Sequence, residues 1–185
     1  MKLYTIIGGI NGCGKSSLTG ALKAERDDLG VILDPDKFSA KLGGYRAGGR
    51  AVIEKVNECL EKGINFTQET TLSGARTERT IRKAKELGYT IRLYYVGLDS
   101  LEESLGRIEN RVKKGGHGIP WQDVERRYAS RFAALLRVLP YCDQARFFDN
   151  GNGFVEVARY ENGELLPITQ SPPNWLAELL AELNT

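Results

Sequence analysis

Near its start the chain reads Gly9-Ile10-Asn11-Gly12-Cys13-Gly14-Lys15-Ser16, directly after the apolar run Leu3–Ile7 and directly before the helix-forming segment Lys15–Glu25. This is the pattern G-x-x-x-x-G-K-[ST] in the strand-then-helix context that gives it meaning. Glycines let backbone N–H groups turn inward on phosphate oxygens, and the helix N-terminus adds partial positive charge. The pattern predicts a loop that binds a nucleoside triphosphate through Gly9, Asn11, Gly12, Cys13, Gly14, Lys15, Ser16 and Ser17. Lys15 places a point charge on the β/γ-phosphates, and the Ser16 hydroxyl is the expected Mg²⁺ ligand. The competing reading is a plain glycine turn, disfavoured by the Lys-Ser pair in register.

The loop sets the frame for the rest of the chain. Strand and helix signals alternate over the first 150 residues, which predicts βαβ units and a parallel sheet. Strands are expected at Leu3–Ile7, Val31–Leu33, Ile64–Glu69, Thr90–Val96 and Ala145–Asp149. Helices are expected at Lys15–Glu25, Arg50–Lys62, Arg76–Leu87, Leu101–Lys113 and Pro120–Leu139. Gly43, Gly44, Gly48 and Gly49 read as a flexible stretch. Beyond residue 150, Glu161-Asn162-Gly163 marks a hairpin, and Asn174–Leu183 reads as a final amphipathic helix. At 185 residues the expectation is a single domain over 1–185. Its core is 1–150, its helical lid about 104–138, and its C-terminal hairpin and helix, 153–185, an appendage.

Charge excludes several partners. The 26 Lys+Arg nearly balance 24 Asp+Glu, so no strong field points to nucleic acid or an anionic membrane. No apolar stretch approaches the ~18–20 residues needed to span a bilayer, and the start, MKLYTIIGG, offers no leader-peptide pattern. The three cysteines, Cys13, Cys59 and Cys142, are scattered, which predicts reduced thiols, no zinc site and a cytoplasmic location. The charge is nevertheless uneven. Residues 104–138 hold eight Lys/Arg against three Asp/Glu, and 143–185 hold two against seven.

Ligands of open α/β sheets bind beyond the carboxyl ends of the strands. The second strand ends in Asp34-Pro35-Asp36, and either carboxylate there could accept a proton from an acceptor hydroxyl. The competing reading makes Asp36 the N-cap of a helix over Lys37–Lys41. The third strand ends in Glu69-Thr70-Thr71-Leu72-Ser73-Gly74, a carboxylate and three hydroxyls suited to a polyhydroxylated substrate, or else a helix N-terminus capped by Ser73 or Thr71. The basic segment carries Arg111, Arg127 and Arg131 on two helices joined by the glycine-rich hinge around His117. Arginines that close over phosphates stabilise transferring charge and exclude water; the alternative is a solvated helix face. His117 reads as a surface residue or a weak substrate contact, and Asp149–Asn152, after the last strand near where the adenine should lie, as a plain turn or part of that site.

Taken in order, GGINGCGKSS, Asp36 in Asp-Lys-Phe, Glu69-Thr70-Thr71 after a strand, and the arginine-rich segment resemble the zeta-toxin family of P-loop kinases over roughly residues 3–150. The resemblance implies a three-layer α/β/α fold like that of nucleoside monophosphate kinases, with a five-stranded parallel sheet of order 2-3-1-4-5. It implies ATP/Mg²⁺-dependent phosphorylation of a nucleotide sugar, UDP-N-acetylglucosamine, at a sugar hydroxyl, and an antitoxin protein as partner. By position, it implies donor binding by Lys15, acceptor-side base action by Asp36, acceptor contacts from Glu69 and Thr71, and phosphate contacts from Arg111 and one of Arg127 or Arg131. Thr70 stands where the established toxins carry glycine. Other readings are a kinase for a nucleoside phosphate, an antibiotic hydroxyl or an RNA end, and a non-catalytic NTP-binding module.

Overall fold

The computed structural model describes residues 1–183 apart from His117, so the expectation for that histidine lies outside the described residues. One sheet organises the chain. Its central strand, β1 (Lys2–Gly8), is buried from Leu3 onward. It pairs in parallel with β3 (Phe66–Thr70) on one side and β4 (Tyr89–Gly97) on the other. A strand covered on both faces reads as a continuous apolar run, which is why Leu3–Ile7 shows no alternation. The short β2 (Val31–Leu33) joins β3, and β5 (Gln144–Asp149) joins β4, both in parallel, giving the expected order 2-3-1-4-5.

The sheet does not stop at five strands. β6 (Val155–Glu161) pairs antiparallel with β5, and β7 (Glu164–Pro167) antiparallel with β6, so the sheet has seven strands in the order β2-β3-β1-β4-β5-β6-β7. The hairpin expected as an appendage therefore covers the β5 edge, whose backbone donors and acceptors would otherwise face solvent.

Helices cover both faces. Along β4, Leu93 and Tyr95 point into one core with α3 (Tyr45–Lys62), α4 (Arg76–Glu86), α7 (Arg131–Val138) and α8 (Asn174–Leu183). Tyr94 and Val96 point into the other, with Leu18 and Leu22 of α1 (Lys15–Glu25). Trp175 of α8 is 1% exposed. Its ring fills the space over Gly97, where an added Cβ would come within 2.2 Å of it.

Two expected helices are redrawn, and the helix that stood as a competing reading after the second strand is present. α2 (Pro35–Leu42) begins at Pro35, because Asp34 caps it. α3 starts at Tyr45 and takes in Gly48 and Gly49, which were expected to be flexible. α2 and α3 approach so closely that a Cβ at Gly48 would sit 2.3 Å from Ser39 Oγ. The long helix expected over 120–139 is two, α6 (Trp121–Ala129) and α7, broken at Ser130, whose hydroxyl donates back to the Arg126 carbonyl. α5 (Leu101–Lys113) runs as expected.

Candidate active site

The glycine-rich loop links β1 to α1 at the carboxyl edge of the sheet. Gly14 caps α1 at φ 105°, a left-handed conformation that a side chain would strain, and a Cβ there would lie 2.4 Å from Asn150 Nδ2. That amide donates to the Cys13 carbonyl at 2.8 Å, so the turn after β5 ties the loop down. The Asn150 carbonyl in turn accepts from Arg107, which is also paired with Glu103. Cys13 is buried and its thiol is pushed up chiefly by burial, a packing group and not a nucleophile. Asn11 accepts from Arg127 Nη1 at 3.1 Å through its side chain and from Ser104 Oγ at 2.6 Å through its carbonyl. Lys15 Nζ donates to the Gly9 and Ile10 carbonyls at 2.9 and 2.8 Å.

Register brings Glu69 to this loop. Ile7 of β1 lies opposite Glu69 of β3, and the Glu69 carboxylate accepts from Ser16 Oγ and Thr19 Oγ1, both at 2.7 Å. Glu69 is 3% exposed, and burial raises its pKa above the ordinary 4.5, with the Ser16 and Thr19 hydroxyls acting in the other direction. The expected acceptor contact is thus a carboxylate bonded to the nucleotide loop's serine. Thr70 Oγ1 accepts from the Leu72 amide, and Thr71 Oγ1 and Ser73 Oγ bond each other. Neither Thr71 nor Ser73 caps α4, whose N-cap, Ala75, has no side-chain partner.

The two aspartates after β2 separate by environment. Asp34 is 4% exposed; it accepts from the Asp36 and Lys37 amides and pairs with Lys37. The expected competing role for Asp36, capping the helix, therefore belongs to Asp34. Asp36, free of that duty, is half exposed, and its carboxylate meets Arg111 Nη1 of α5 at 3.0 Å.

These groups line one cleft of about 890 Å³: the loop, Lys15, Ser16 and Ser17; Asp34 and Asp36; Glu69, Thr70 and Thr71; and Arg107, Arg111 and Arg127. Arg131 is a correction. It does not line the cleft, but pairs with Glu178 of α8 at 2.5 Å and stacks on Tyr128 and Phe132. One helical turn separates it from Arg127 in sequence, but the helix breaks at Ser130 and the two take different partners. Sequence reasoning placed Asn150 in a segment near the adenine or a plain turn, without its bond to the loop, and missed the cleft arginines Arg46, Arg50, Arg76 and Arg79.

The loop's tight glycines, the lysine at its end and a serine backed by a carboxylate fit a polyphosphate with its divalent cation. Among the described residues no cluster of three His, Cys, Asp or Glu side chains offers an all-protein metal site, and no described helix is long and apolar enough to cross a membrane.

A parallel sheet of this order with the loop at its centre defines a P-loop protein of the kinase-like class. The Zeta toxin family model matches residues 2–150, and the chain belongs to that family. It is 32% identical over 126 residues to an uncharacterized protein of Haemophilus influenzae, a match covering 65% of this chain and 88% of that one. The AvrRxo1-ORF1:-ORF2 structure with ATP is similar at TM-score 0.70 and 20% identity over 100% of this chain, which spans 64% of that chain's length. The PezAT chromosomal toxin–antitoxin system of Streptococcus pneumoniae is similar at 0.64 and 18% identity, covering 99% and 78%. Shikimate kinase from Acinetobacter baumannii is similar at 0.50 and 14%, covering 98% and 92%.

Proposed function

We propose that the protein is an ATP/Mg²⁺-dependent phosphotransferase acting on a hydroxyl of a small molecule, with a nucleotide sugar such as UDP-N-acetylglucosamine as the leading acceptor. The observation that carries the reading is the meeting of Asp36 and Arg111 at 3.0 Å in the cleft that also holds Lys15 and Ser16. A nucleotide switch needs no acceptor-side base; a kinase does, to take or orient the acceptor proton.

In this reading the loop amides and Lys15 hold the donor phosphates, and Ser16, backed by Glu69, would hold Mg²⁺, which would supply positive charge against the donor phosphates. Asp36 accepts the hydroxyl proton. Arg111 and Arg127 face the transferring group, and Asp34 serves by fixing the turn that carries Asp36. Thr70 and Thr71 form the acceptor wall. Arg131 is left out, because it packs against α8 and two aromatic rings outside the cleft. Since PezAT is a toxin–antitoxin system, an antitoxin protein belongs to the proposal as the partner.

Incubation with labelled ATP and Mg²⁺ against nucleotide sugars, nucleotides, an aminoglycoside and RNA ends, with products identified by mass, tests the reading. Lys15→Ala should remove transfer with the fold intact, since it deletes charge worth several kcal/mol of the barrier. Near-normal turnover in that variant, or ATP consumption that responds to no acceptor, would sink it.

A further inference from the structure

We infer that Ser104 and Asn150 are positioning residues for the donor: each holds a carbonyl of the glycine-rich loop and so aims the amides of Gly12 and Gly14, and α8 takes part through Asp149. The inference rests on the reading of that loop as the donor site. A trans peptide points its C=O and its N–H in opposite directions. Holding the Asn11 carbonyl therefore aims the Gly12 amide, and holding the Cys13 carbonyl aims the Gly14 amide. Ser104 Oγ donates to the first carbonyl at 2.6 Å, and Asn150 Nδ2 donates to the second at 2.8 Å. Both glycines are left-handed, at φ 73° and 105°. Each is also closed in by the residue that holds it. A Cβ at Gly12 would lie 2.6 Å from the Ser104 carbonyl oxygen, and one at Gly14 would lie 2.4 Å from Asn150 Nδ2.

The Gly9 and Ile10 carbonyls are held differently, by Lys15. In the donor reading that lysine turns to the phosphates and gives those bonds up. Ser104 and Asn150 have no such second duty, so the two bonds that aim the amides can outlast donor entry. Ser104 is fully buried in α5. Asn150 is fixed on the turn after β5: its N–H donates to the Gly97 carbonyl, and its own carbonyl accepts from Arg107. The residue before it, Asp149, holds the same turn. One carboxylate oxygen accepts from the Gly151 amide at 3.0 Å, and the other from Trp175 Nε1 at 2.8 Å. A line of bonded groups thus runs from the α8 indole to the phosphate loop. Trp175 lies outside residues 2–150, the part that the family model matches. Donors fixed before charge arrives need no reorganisation at the moment of reaction, so rigid support of this loop bears on phosphate binding directly.

Two measurements test this. One is calorimetric titration of a non-hydrolysable ATP analogue and of inorganic tripolyphosphate, each with Mg²⁺. The other is hydrogen exchange of the loop segment 9–18 in nucleotide-free protein. Ser104→Ala and Asn150→Ala delete the two donors without changing charge, and alanine suits the α5 position. Trp175→Phe keeps a packed ring and removes only the N–H. In the two alanine variants both ligands should weaken at least about fivefold. Their loop amides should exchange at least about threefold faster, with circular dichroism unchanged at the assay temperature. Trp175→Phe should move both readouts the same way by a smaller factor. Wild-type binding and exchange in the alanine variants overturn the positioning role. So does an analogue that weakens while tripolyphosphate binds as before, because that pattern marks a contact with the base. Wild-type behaviour of Trp175→Phe alone overturns the part given to α8. A wild-type protein that takes neither ligand overturns the donor reading, and exchange then decides the rest: faster loop amides in the variants sustain the positioning role, and unchanged rates overturn it.

Discussion

Asp34 and Asp36 sit two residues apart and differ in what surrounds them. The first is buried under a helix N-terminus; the second stands half exposed against an arginine. Asp36→Asn should therefore spare the helix cap and ATP affinity while lowering transfer by roughly 10²–10⁴, read as turnover beside calorimetric nucleotide binding. Glu69 is a different case. Burial lifts its pKa above the ordinary value of 4.5, so the folded protein holds that proton more tightly than the unfolded chain. The stability tied to the protonated form is complete below 4.5 and is lost as pH rises through the raised value. Glu69→Gln removes this dependence. Denaturant unfolding of both proteins from about pH 4 to about pH 8 should show the difference in stability moving in the variant's favour as pH rises. The glycine loop, Asp36 and Arg111 were legible as single residues in sequence. The Glu69–Ser16 bond was not, because it depends on β3 lying beside β1 with Ile7 opposite Glu69, a register no local pattern states.

At the scale of elements, the break between α6 and α7 decides which arginines serve the cleft. Periodicity alone joins residues 120–139 into one helix, and on that helix Arg127 and Arg131 share a face. Ser130 interrupts it, leaving Arg127 on Asn11 of the loop while Arg131 clamps α7 to α8. Arg131→Ala should act as a stability change of about 1–2 kcal/mol, through lost ring stacking and stem packing. Turnover measured well below the melting transition should remain near that of the wild type. A large fall in turnover with unchanged denaturation would return Arg131 to the chemistry. α3 shows the same limit of sequence reading: four glycines in seven residues look like a hinge, yet Gly48 is where α2 and α3 touch.

For the whole molecule, the alternation of strands and helices made the parallel part of the sheet readable, while the last 35 residues read as an addition. The structure makes them part of the core. β6 and β7 extend the sheet, and Trp175 is buried over Gly97 with its indole N–H on Asp149. The Trp175 amide also reaches Asp99, whose carbonyl accepts from Tyr128. Trp175→Ala should cost about 3–5 kcal/mol, measured by denaturant unfolding, and would leave α8 without its anchor. Loss below about 1 kcal/mol, roughly the precision of such unfolding curves, would mean that α8 docks by other means.

The pairing of Arg111 with Asp36 joins positions 75 apart in the chain across the mouth of the cleft. Water is the commonest hydroxyl any kinase meets, and it arrives with nothing attached. In the phosphotransferase reading, the guanidinium holds one oxygen of the Asp36 carboxylate away from a passing water. In the same reading, an acceptor that brings its own negative groups would draw the arginine away. In the phosphotransferase reading, discrimination between acceptor and solvent would then be settled by admission, before any bond is made or broken.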